Sequence, residues 1–140
     1  MITLNAGCGN DKWGTVRIDK ESSVRPHIIG TILNLPFRFK IFHKIKLSHV
    51  LEHLRNPIKG MMELKRVLNG ILYIEIPNVY HYMSILRVIK RGVNIPVDLK
   101  TLHLQLWDIS TITQLLYQSG FDIVKIYWSL FNKYLMVIVK

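Results

Sequence analysis

Apolar and polar positions alternate along the chain in short runs that are separated by segments with helical spacing. Runs of four to seven residues rich in β-branched and aromatic side chains predict strands, and apolar residues three and four apart predict helices. The predicted strands are 2–5, 15–19, 27–30, 44–48, 70–76, 121–127 and 133–139. This order predicts an α/β fold, a Rossmann-like three-layer sandwich with a mostly parallel seven-stranded sheet and an antiparallel last strand.

Three helices have recognisable ends. Asn56 is positioned to cap a helix that reaches 68, and a second helix is predicted over 79–91. The third begins near Ser110, where Thr111 and Gln114 offer a capping box. No room remains between the first two strands for a full helix, so the first helix of the fold is expected to be absent or vestigial.

The 140 residues fit one domain, 1–140, and 49% of them are hydrophobic, enough for a core. We expect no signal peptide and no membrane span, because no apolar run reaches the roughly 18 residues a span requires. The chain has one cysteine, Cys8, which excludes an internal disulfide and favours a cytoplasmic location.

The chain carries 19 basic and 9 acidic residues, a formal net charge of +10. This excess allows an acidic partner such as a nucleic acid, or simply a solvated basic surface. The basic residues are scattered and form no continuous run, so the sequence by itself does not separate these alternatives.

The first chemical signal is the segment Asn5-Ala6-Gly7-Cys8-Gly9, directly after a predicted strand. Glycines at this spacing let a ligand approach the backbone closely, at the sheet edge where nucleotide-like cofactors bind. Asp19 ends the next predicted strand, where its carboxylate can accept hydrogen bonds from ribose hydroxyls. Dinucleotide folds place this acid about 20 residues after the glycines. Only nine residues separate Gly9 from Asp19, which disfavours NAD or FAD and favours an adenosyl ligand without phosphates.

Six segments together resemble a known family. The chain is similar to class I S-adenosylmethionine-dependent methyltransferases, particularly a small group with LNxGCG and SHVLEHL motifs. The resemblance covers nearly the whole chain in the family's order. Its segments are 5–9, 13–19, 35–37 (LPF), 48–54 (SHVLEHL), 63–68 and 115–121.

The resemblance implies S-adenosylmethionine as the cofactor. The loop of Asn5, Ala6, Gly7, Cys8 and Gly9 would hold its methionine part. Asp19 would bind the ribose, and Thr31 with Ile32 would flank the adenine. Ser48 and His49 would lie beside the sulfonium and its methyl group. Thr31 stands where the family usually has an acid.

Methyl transfer to oxygen or nitrogen can require a proton acceptor, and histidine suits this role. His49 and His53 are the catalytic candidates, and both would face one cleft if their segment is helical. His81, His103 and Trp107 are candidates for substrate contacts. The last two lie in the aperiodic segment 93–107, whose length is typical of a lid or a binding loop. No metal site is expected, because the spacing matches no zinc pattern.

The leading hypothesis is methyl transfer to an oxygen or nitrogen of an unidentified acceptor, a small molecule. The alternatives are a nucleic-acid methyltransferase and a non-catalytic S-adenosylmethionine-binding subunit. A homodimer is also possible, because omission of a helix would leave one sheet face partly uncovered and apolar.

Overall fold

A computed structural model describes residues 1–78, 107–128 and 134–140 of the chain. The predicted second helix lies outside these residues. The described strands are β1 (Thr3–Ala6), β2 (Val16–Asp19), β3 (Ile28–Ile29), β4 (Phe42–Ser48), β5 (Leu68–Pro77), β6 (Ile123–Trp128) and β7 (Tyr134–Val139). The described helices are α1 (Pro57–Val67) and α2 (Ile109–Gln118), with short 3-10 turns at Ser22–Val24 and Leu51–His53.

The strands form a seven-stranded sheet in the order β3-β2-β1-β4-β5-β7-β6. Pairs from β3 through β5 are parallel, whereas β7 is antiparallel to both neighbours, β5 and β6. The predicted seven strands, the mostly parallel pairing and the antiparallel last strand are therefore confirmed. The strand order reverses between β1 and β4, and ligands of open α/β sheets bind at the carboxyl edge beside such a reversal.

The hydrophobic core lies on one face of this sheet. Strand side chains alternate between faces, and the buried set belongs to rows such as Leu4, Ile45, Leu72 and Val139, which are paired across four strands. Buried side chains of α1 and α2 join the same cluster. Both described helices therefore cover the same face, which we call the core face.

Helix α1 begins as predicted, with the Asn56 side chain accepting a hydrogen bond from the Lys59 amide at 3.0 Å. It ends at Val67, one residue earlier than predicted, and the chain enters β5 directly at Leu68. Asn69 and Gly70 already belong to this strand, which begins two residues earlier than predicted.

Helix α2 begins one residue before the predicted start. The cap is Asp108, whose side chain accepts from the Thr111 amide at 2.7 Å, and Thr111 Oγ1 accepts from the Asp108 amide at 2.9 Å. The predicted pairing of Thr111 with Gln114 was wrong, because the acidic residue upstream is a better acceptor for exposed amides.

Segments 35–37 and 63–68, which both carry the family resemblance, are joined by hydrogen bonds. The Glu63 carboxylate accepts from the Leu35 amide at 2.8 Å, and Arg66 donates to the carbonyls of Phe37 and Leu35 at 2.8 and 2.9 Å. Glu63 and Arg66 also form an ion pair with N–O distance 2.8 Å. One turn of α1 thus satisfies the backbone of the irregular segment that leads to β4.

The crossover between β1 and β2 contains no helix, as predicted. Instead the loop passes over the sheet face opposite the core face, which we call the open face. Asp11 accepts hydrogen bonds from Asn5 Nδ2 at 3.2 Å and from Lys46 Nζ at 2.6 Å. Asn5 on β1 and Lys46 on β4 alternate with core residues along their strands, so both side chains lie on the open face. A short polar loop therefore replaces the missing helix.

The open face is mixed, whereas an apolar face was expected. It carries the basic side chains Arg17, Lys44 and Lys46 on β2 and β4, and the partly exposed Ile71, Tyr73, Met136 and Ile138 on β5 and β7. Lysines within central strands differ from the continuous apolar runs of sheets that are buried on both faces. The homodimer remains a prediction. None of the helices in the described ranges is long and apolar enough to cross a membrane.

Candidate functional site

The carboxyl ends of β1, β2, β4 and β5 meet at one edge of the sheet. The parallel pairing brings Ala6 beside Ile18 and Leu47, and Ser48 beside Glu75. The glycine loop, Asp19 and the segment that begins at Ser48 therefore leave the sheet on the same side. This edge gathers most of the predicted cofactor residues.

The glycine loop is folded back onto β2. The amides of Gly7 and Cys8 both donate to the Ile18 carbonyl, at 2.9 and 3.1 Å. Both Gly7 and Gly9 have positive φ, 72° and 48°. A Cβ at Gly7 would collide with the Val50 side chain, whereas a Cβ at Gly9 would meet no atom within 4 Å. The backbone of Gly9 thus borders open space that a ligand can occupy.

The carboxylate of Asp19 faces this loop. Its Oδ2 accepts from the Gly9 amide at 2.8 Å, and its Oδ1 accepts from the Glu21 amide at 3.0 Å. A carboxylate offers about four acceptor positions, so two hydrogen bonds leave capacity for further donors. Asp19 therefore fixes the loop and still presents acceptors beside Gly9.

The side chains of Cys8 and Asn5 in this loop are buried. Cys8 is 4% exposed, and burial raises the pKa of its thiol, with a further contribution from Asp19. The thiol therefore stays protonated and packs as a small apolar group. Asn5 is 1% exposed, and its amide group donates to Asp11.

His49 is surrounded by acidic and aromatic side chains at the end of β4. Its Nδ1 lies 3.4 Å from Glu52 Oε1, and its Nε2 lies 3.5 Å from Glu75 Oε1. The ring of Tyr134 packs edge-on against it, with centroids 4.8 Å apart. His49 has φ 55°, and its amide donates to the Glu75 carbonyl at 2.9 Å. This left-handed conformation turns the chain sharply out of the strand.

The surroundings of His49 favour its protonated form. Hydrogen bonding to Glu52 is the main cause that raises the pKa of His49; the charges of Glu52 and Glu75 act in the same direction, against partial burial. Glu52 is 1% exposed, and neither of its oxygens has a well-aligned hydrogen bond within the described part of the chain. A buried carboxylate without donors is costly, so an imidazolium at His49 compensates it.

Glu75 is a site residue that the sequence analysis missed. Besides facing His49, it accepts a hydrogen bond from Ser48 Oγ at 3.0 Å. The signal was a single acid inside the apolar run of β5, two residues from its end. Only the register of β4 with β5 shows that this acid stands beside Ser48.

The α-helix on which the expected alignment of His49 with His53 depends is not formed. The intervening segment contains a left-handed residue and then the 3-10 turn Leu51–His53. A separation of four residues therefore does not correspond to one turn of a continuous α-helix. His53 is half-buried, and its amide donates to the Val50 carbonyl at 3.0 Å.

The remaining predicted residues are distributed differently. Thr31 is exposed, whereas the Ile32 side chain is 4% exposed and belongs to the core. Trp107 is 6% exposed and also belongs to the core, so its side chain packs inside rather than in an open lid. His81 and His103 lie outside the described residues.

Solved structures with this fold include three informative neighbours. A Thermotoga maritima S-adenosylmethionine-dependent methyltransferase, a possible histamine N-methyltransferase, has a TM-score of 0.76 at 12% identity, over 99% of this chain and 81% of that one. An Archaeoglobus fulgidus S-adenosylmethionine-dependent methyltransferase has a TM-score of 0.74 at 15% identity, over 99% and 85%. The Burkholderia thailandensis 1,6-didemethyltoxoflavin-N1-methyltransferase, solved with 1,6-didemethyltoxoflavin and S-adenosylhomocysteine, has a TM-score of 0.72 at 12% identity, over 98% and 69%. No curated protein matches the chain.

The sheet order agrees with that of the S-adenosylmethionine-dependent methyltransferases among these neighbours. The family model described as a methyltransferase domain matches residues 4–126. The chain belongs to this methyltransferase-domain family, and its cofactor is S-adenosylmethionine.

Proposed function

We propose that this enzyme methylates an oxygen or nitrogen atom of a small-molecule acceptor, and that it belongs to the small group with the LNxGCG and SHVLEHL motifs. The observation that carries the proposal is the contact between Asp19 and the Gly9 amide beside open space. It sets a polar acceptor and bare backbone side by side, which is what an adenosyl ligand requires.

The residues of this edge fit S-adenosylmethionine. The loop from Asn5 through Ala6, Gly7, Cys8 and Gly9 would hold the amino-acid end, and Asp19 would accept hydrogen bonds from the ribose. Thr31 and the backbone of Ile32 would border the adenine, with Ser48 and His49 near the sulfur. When bound, this cofactor supplies an electrophilic methyl group on a positively charged sulfur.

The charges of the site suit a cationic ligand. Asp19, Glu52 and Glu75 all lie near the carboxyl edge, within a protein whose formal net charge is +10. Opposite charges attract strongly where water is partly excluded. These carboxylates would therefore favour the sulfonium and the amino group of the cofactor, although the rest of the protein repels cations.

His49 is the proposed proton acceptor. Its two ring nitrogens face Glu52 and Glu75, so the imidazole is held in one orientation by a carboxylate on each side. To accept a proton from the acceptor group, His49 must first be neutral, with one nitrogen released from its acidic partner. His53, the second candidate, stands after the 3-10 turn.

The second candidate function is methylation of a nucleic acid. The basic open face favours it, because exposed lysine and arginine side chains on a sheet attract phosphates. A non-catalytic binding subunit would share the cofactor site but would transfer no methyl group to any acceptor.

Calorimetric titration with S-adenosylhomocysteine tests the cofactor site. We expect saturable binding by the natural chain and a loss of at least about tenfold in affinity for Asp19→Ala, since a hydrogen bond to a charged group contributes about 1.5–3 kcal/mol. Asp122→Ala is the matched control, because this exposed acid at the start of β6 carries the same charge. Equal affinity of both variants would contradict the assigned site.

A further inference from the structure

The open face carries one continuous row of side chains that crosses six strands. Strand register places Arg17 beside Asn5, Asn5 beside Lys46, and Lys46 beside Tyr73. The row continues through Ile138 to Lys125 on the edge strand β6. With about 4.8 Å between neighbouring strands, the row is about 24 Å long.

Most side chains of this row remain accessible, except that of Asn5, which is 1% exposed. Lys46 is at the centre of the sheet, yet its side chain is 33% exposed while it pairs with Asp11. Arg17 and Tyr73 are half-buried, and Lys125 is exposed. Lys44, in the neighbouring row towards the amino ends of the parallel strands, is half-buried. No helix in the part of the chain that the structure describes packs on this face.

Away from the carboxyl edge, where Asp19 and Glu75 lie, the charged side chains of the strands on this face are positive. Asp11 neutralises Lys46, but the cationic groups of Arg17, Lys44 and Lys125 have no ion pair with an acidic side chain among the described residues. Burying lysines under an apolar layer would be costly. Charge complementarity therefore selects an anionic occupant over an apolar helix or a second basic copy.

Aromatic rings are interspersed with these charges. Tyr73 is in the middle of the row, and Tyr127, 37% exposed, lies on β6 with Lys125 Nζ 5.4 Å from its ring centre. Trp13, also 37% exposed, is in the loop that Asp11 fixes over the same face, where Asp11 accepts from its amide. Basic groups together with partly exposed rings are typical of surfaces on which bases of a single strand stack while phosphates are neutralised.

We propose that the open face binds single-stranded nucleic acid. The face is continuous with the site, because the next row towards the carboxyl edge contains Ser48, Glu75, Met136 and Tyr127. One row lies about 7 Å from the next along a strand. The proposal adds a binding surface to the second candidate function. It rests on the proposed methyl transfer only for the methylation of the bound nucleic acid, since binding itself requires no cofactor.

Fluorescence anisotropy with labelled oligouridylate, without cofactor, tests the proposal. We expect saturable binding that Lys44→Gln/Lys125→Gln weakens about tenfold or more, with the slope of log affinity against log salt reduced by about 1.4, as two lost phosphate contacts require. Lys40→Gln/Lys59→Gln is the matched control; it removes the same charge from exposed residues outside the open face and should bind like the natural chain. Tyr127→Leu should weaken binding without changing the salt slope.

Three results would overturn the proposal: no saturable binding, equal weakening by both double variants, or tighter binding of phosphatidylserine vesicles that depends on the same lysines. Titration with S-adenosylhomocysteine on each variant separates the two hypotheses. If the lysine variants keep the cofactor but lose the oligonucleotide, the surface is confirmed. If oligouridylate binds while S-adenosylhomocysteine does not, the cofactor site is wrong and the surface stands.

Discussion

Gly7 and Gly9 occupy the same loop for different physical reasons. Both have positive φ, but only Gly7 is packed so tightly that a side chain would strike Val50. Gly9 has open space where its Cβ would be. The first glycine is therefore required by the packing of the loop against the segment after β4. The second is favoured by its left-handed backbone, and we propose that a ligand approaches its open side.

Alanine substitutions should separate these two roles. Gly7→Ala should lower the free energy of unfolding by about 1–3 kcal/mol, because it combines overpacking with a left-handed backbone. Gly9→Ala should cost only about 1–2 kcal/mol, the price of the backbone conformation alone, yet should weaken S-adenosylhomocysteine binding at least tenfold. Urea unfolding and calorimetry measure the two effects. A Gly9→Ala protein with natural affinity would show that the ligand does not approach this backbone.

The protonation of His49 should be visible in the pH dependence of the enzyme. Because Glu52 and Glu75 raise the pKa of His49, the neutral form needed for proton acceptance appears only above the usual histidine value of about 6.5. We expect kcat/KM to rise with pH through this elevated pKa, and His49→Gln to lower kcat by about 10²–10⁴. His27→Gln, an exposed histidine on the approach to β3, should behave like the natural chain.

Protonation of His49 should also stabilise the fold, so stability should fall with pH where kcat/KM rises. A pKa that is higher in the folded protein means that the stabilisation is fully present below the unfolded pKa and is lost as pH rises through the folded pKa. Unfolding curves of the natural chain should therefore lose this contribution in the range where kcat/KM increases. If His49→Gln left both pH profiles unchanged, His49 would be neither the proton acceptor nor the link between the two glutamates.

The loop between β1 and β2 replaces a helix with a few polar contacts. Asp11 accepts from Asn5, from Trp13 and from Lys46, so a single carboxylate ties the loop to two strands. The contact with Lys46 is the main cause that lowers the pKa of Asp11. Because the loop also carries Gly9, the position of the loop over the open face determines the geometry of the carboxyl edge.

Removing this tie should affect binding more than stability. Asp11→Ala should lower the free energy of unfolding by about 1 kcal/mol or less for the partly exposed ion pair, while S-adenosylhomocysteine affinity falls several-fold as the loop loses its fixed position. A double-mutant cycle with Lys46→Met checks the cause, because the second substitution should add little once Asp11 is gone. Strictly additive effects would show that the two side chains act independently.

The two faces of the sheet and its carboxyl edge differ in charge and in the elements that cover them. The core face is covered by both described helices. The open face carries basic side chains on β2 and β4 beside apolar and aromatic side chains on β5 and β7, and acidic groups gather at the carboxyl edge. A cofactor that binds this edge contacts β1, β2 and β4 at once. Its binding energy therefore adds to the stability of the entire sheet.

Thermal unfolding should report this coupling. At one hundred times its Kd, S-adenosylhomocysteine should stabilise the natural chain by about 2.7 kcal/mol, a rise of several degrees in Tm. NAD should give no shift, because no helix begins after the glycine loop to receive a pyrophosphate. A larger shift with NAD than with S-adenosylhomocysteine would reverse the assignment of the ligand.

The sequence by itself determined the strands, the start of α1 and the glycine loop, because these depend on local periodicity, turn residues and capping. It also predicted the missing first helix, since nine residues between Gly9 and Asp19 leave no length for one. The tertiary structure alone decided which distant groups meet. Strand register placed Glu75 beside Ser48 and His49, and the face alternation showed that the lysines of β4 lie opposite the core. Such contacts depend on pairing between residues far apart along the chain, which no local pattern encodes.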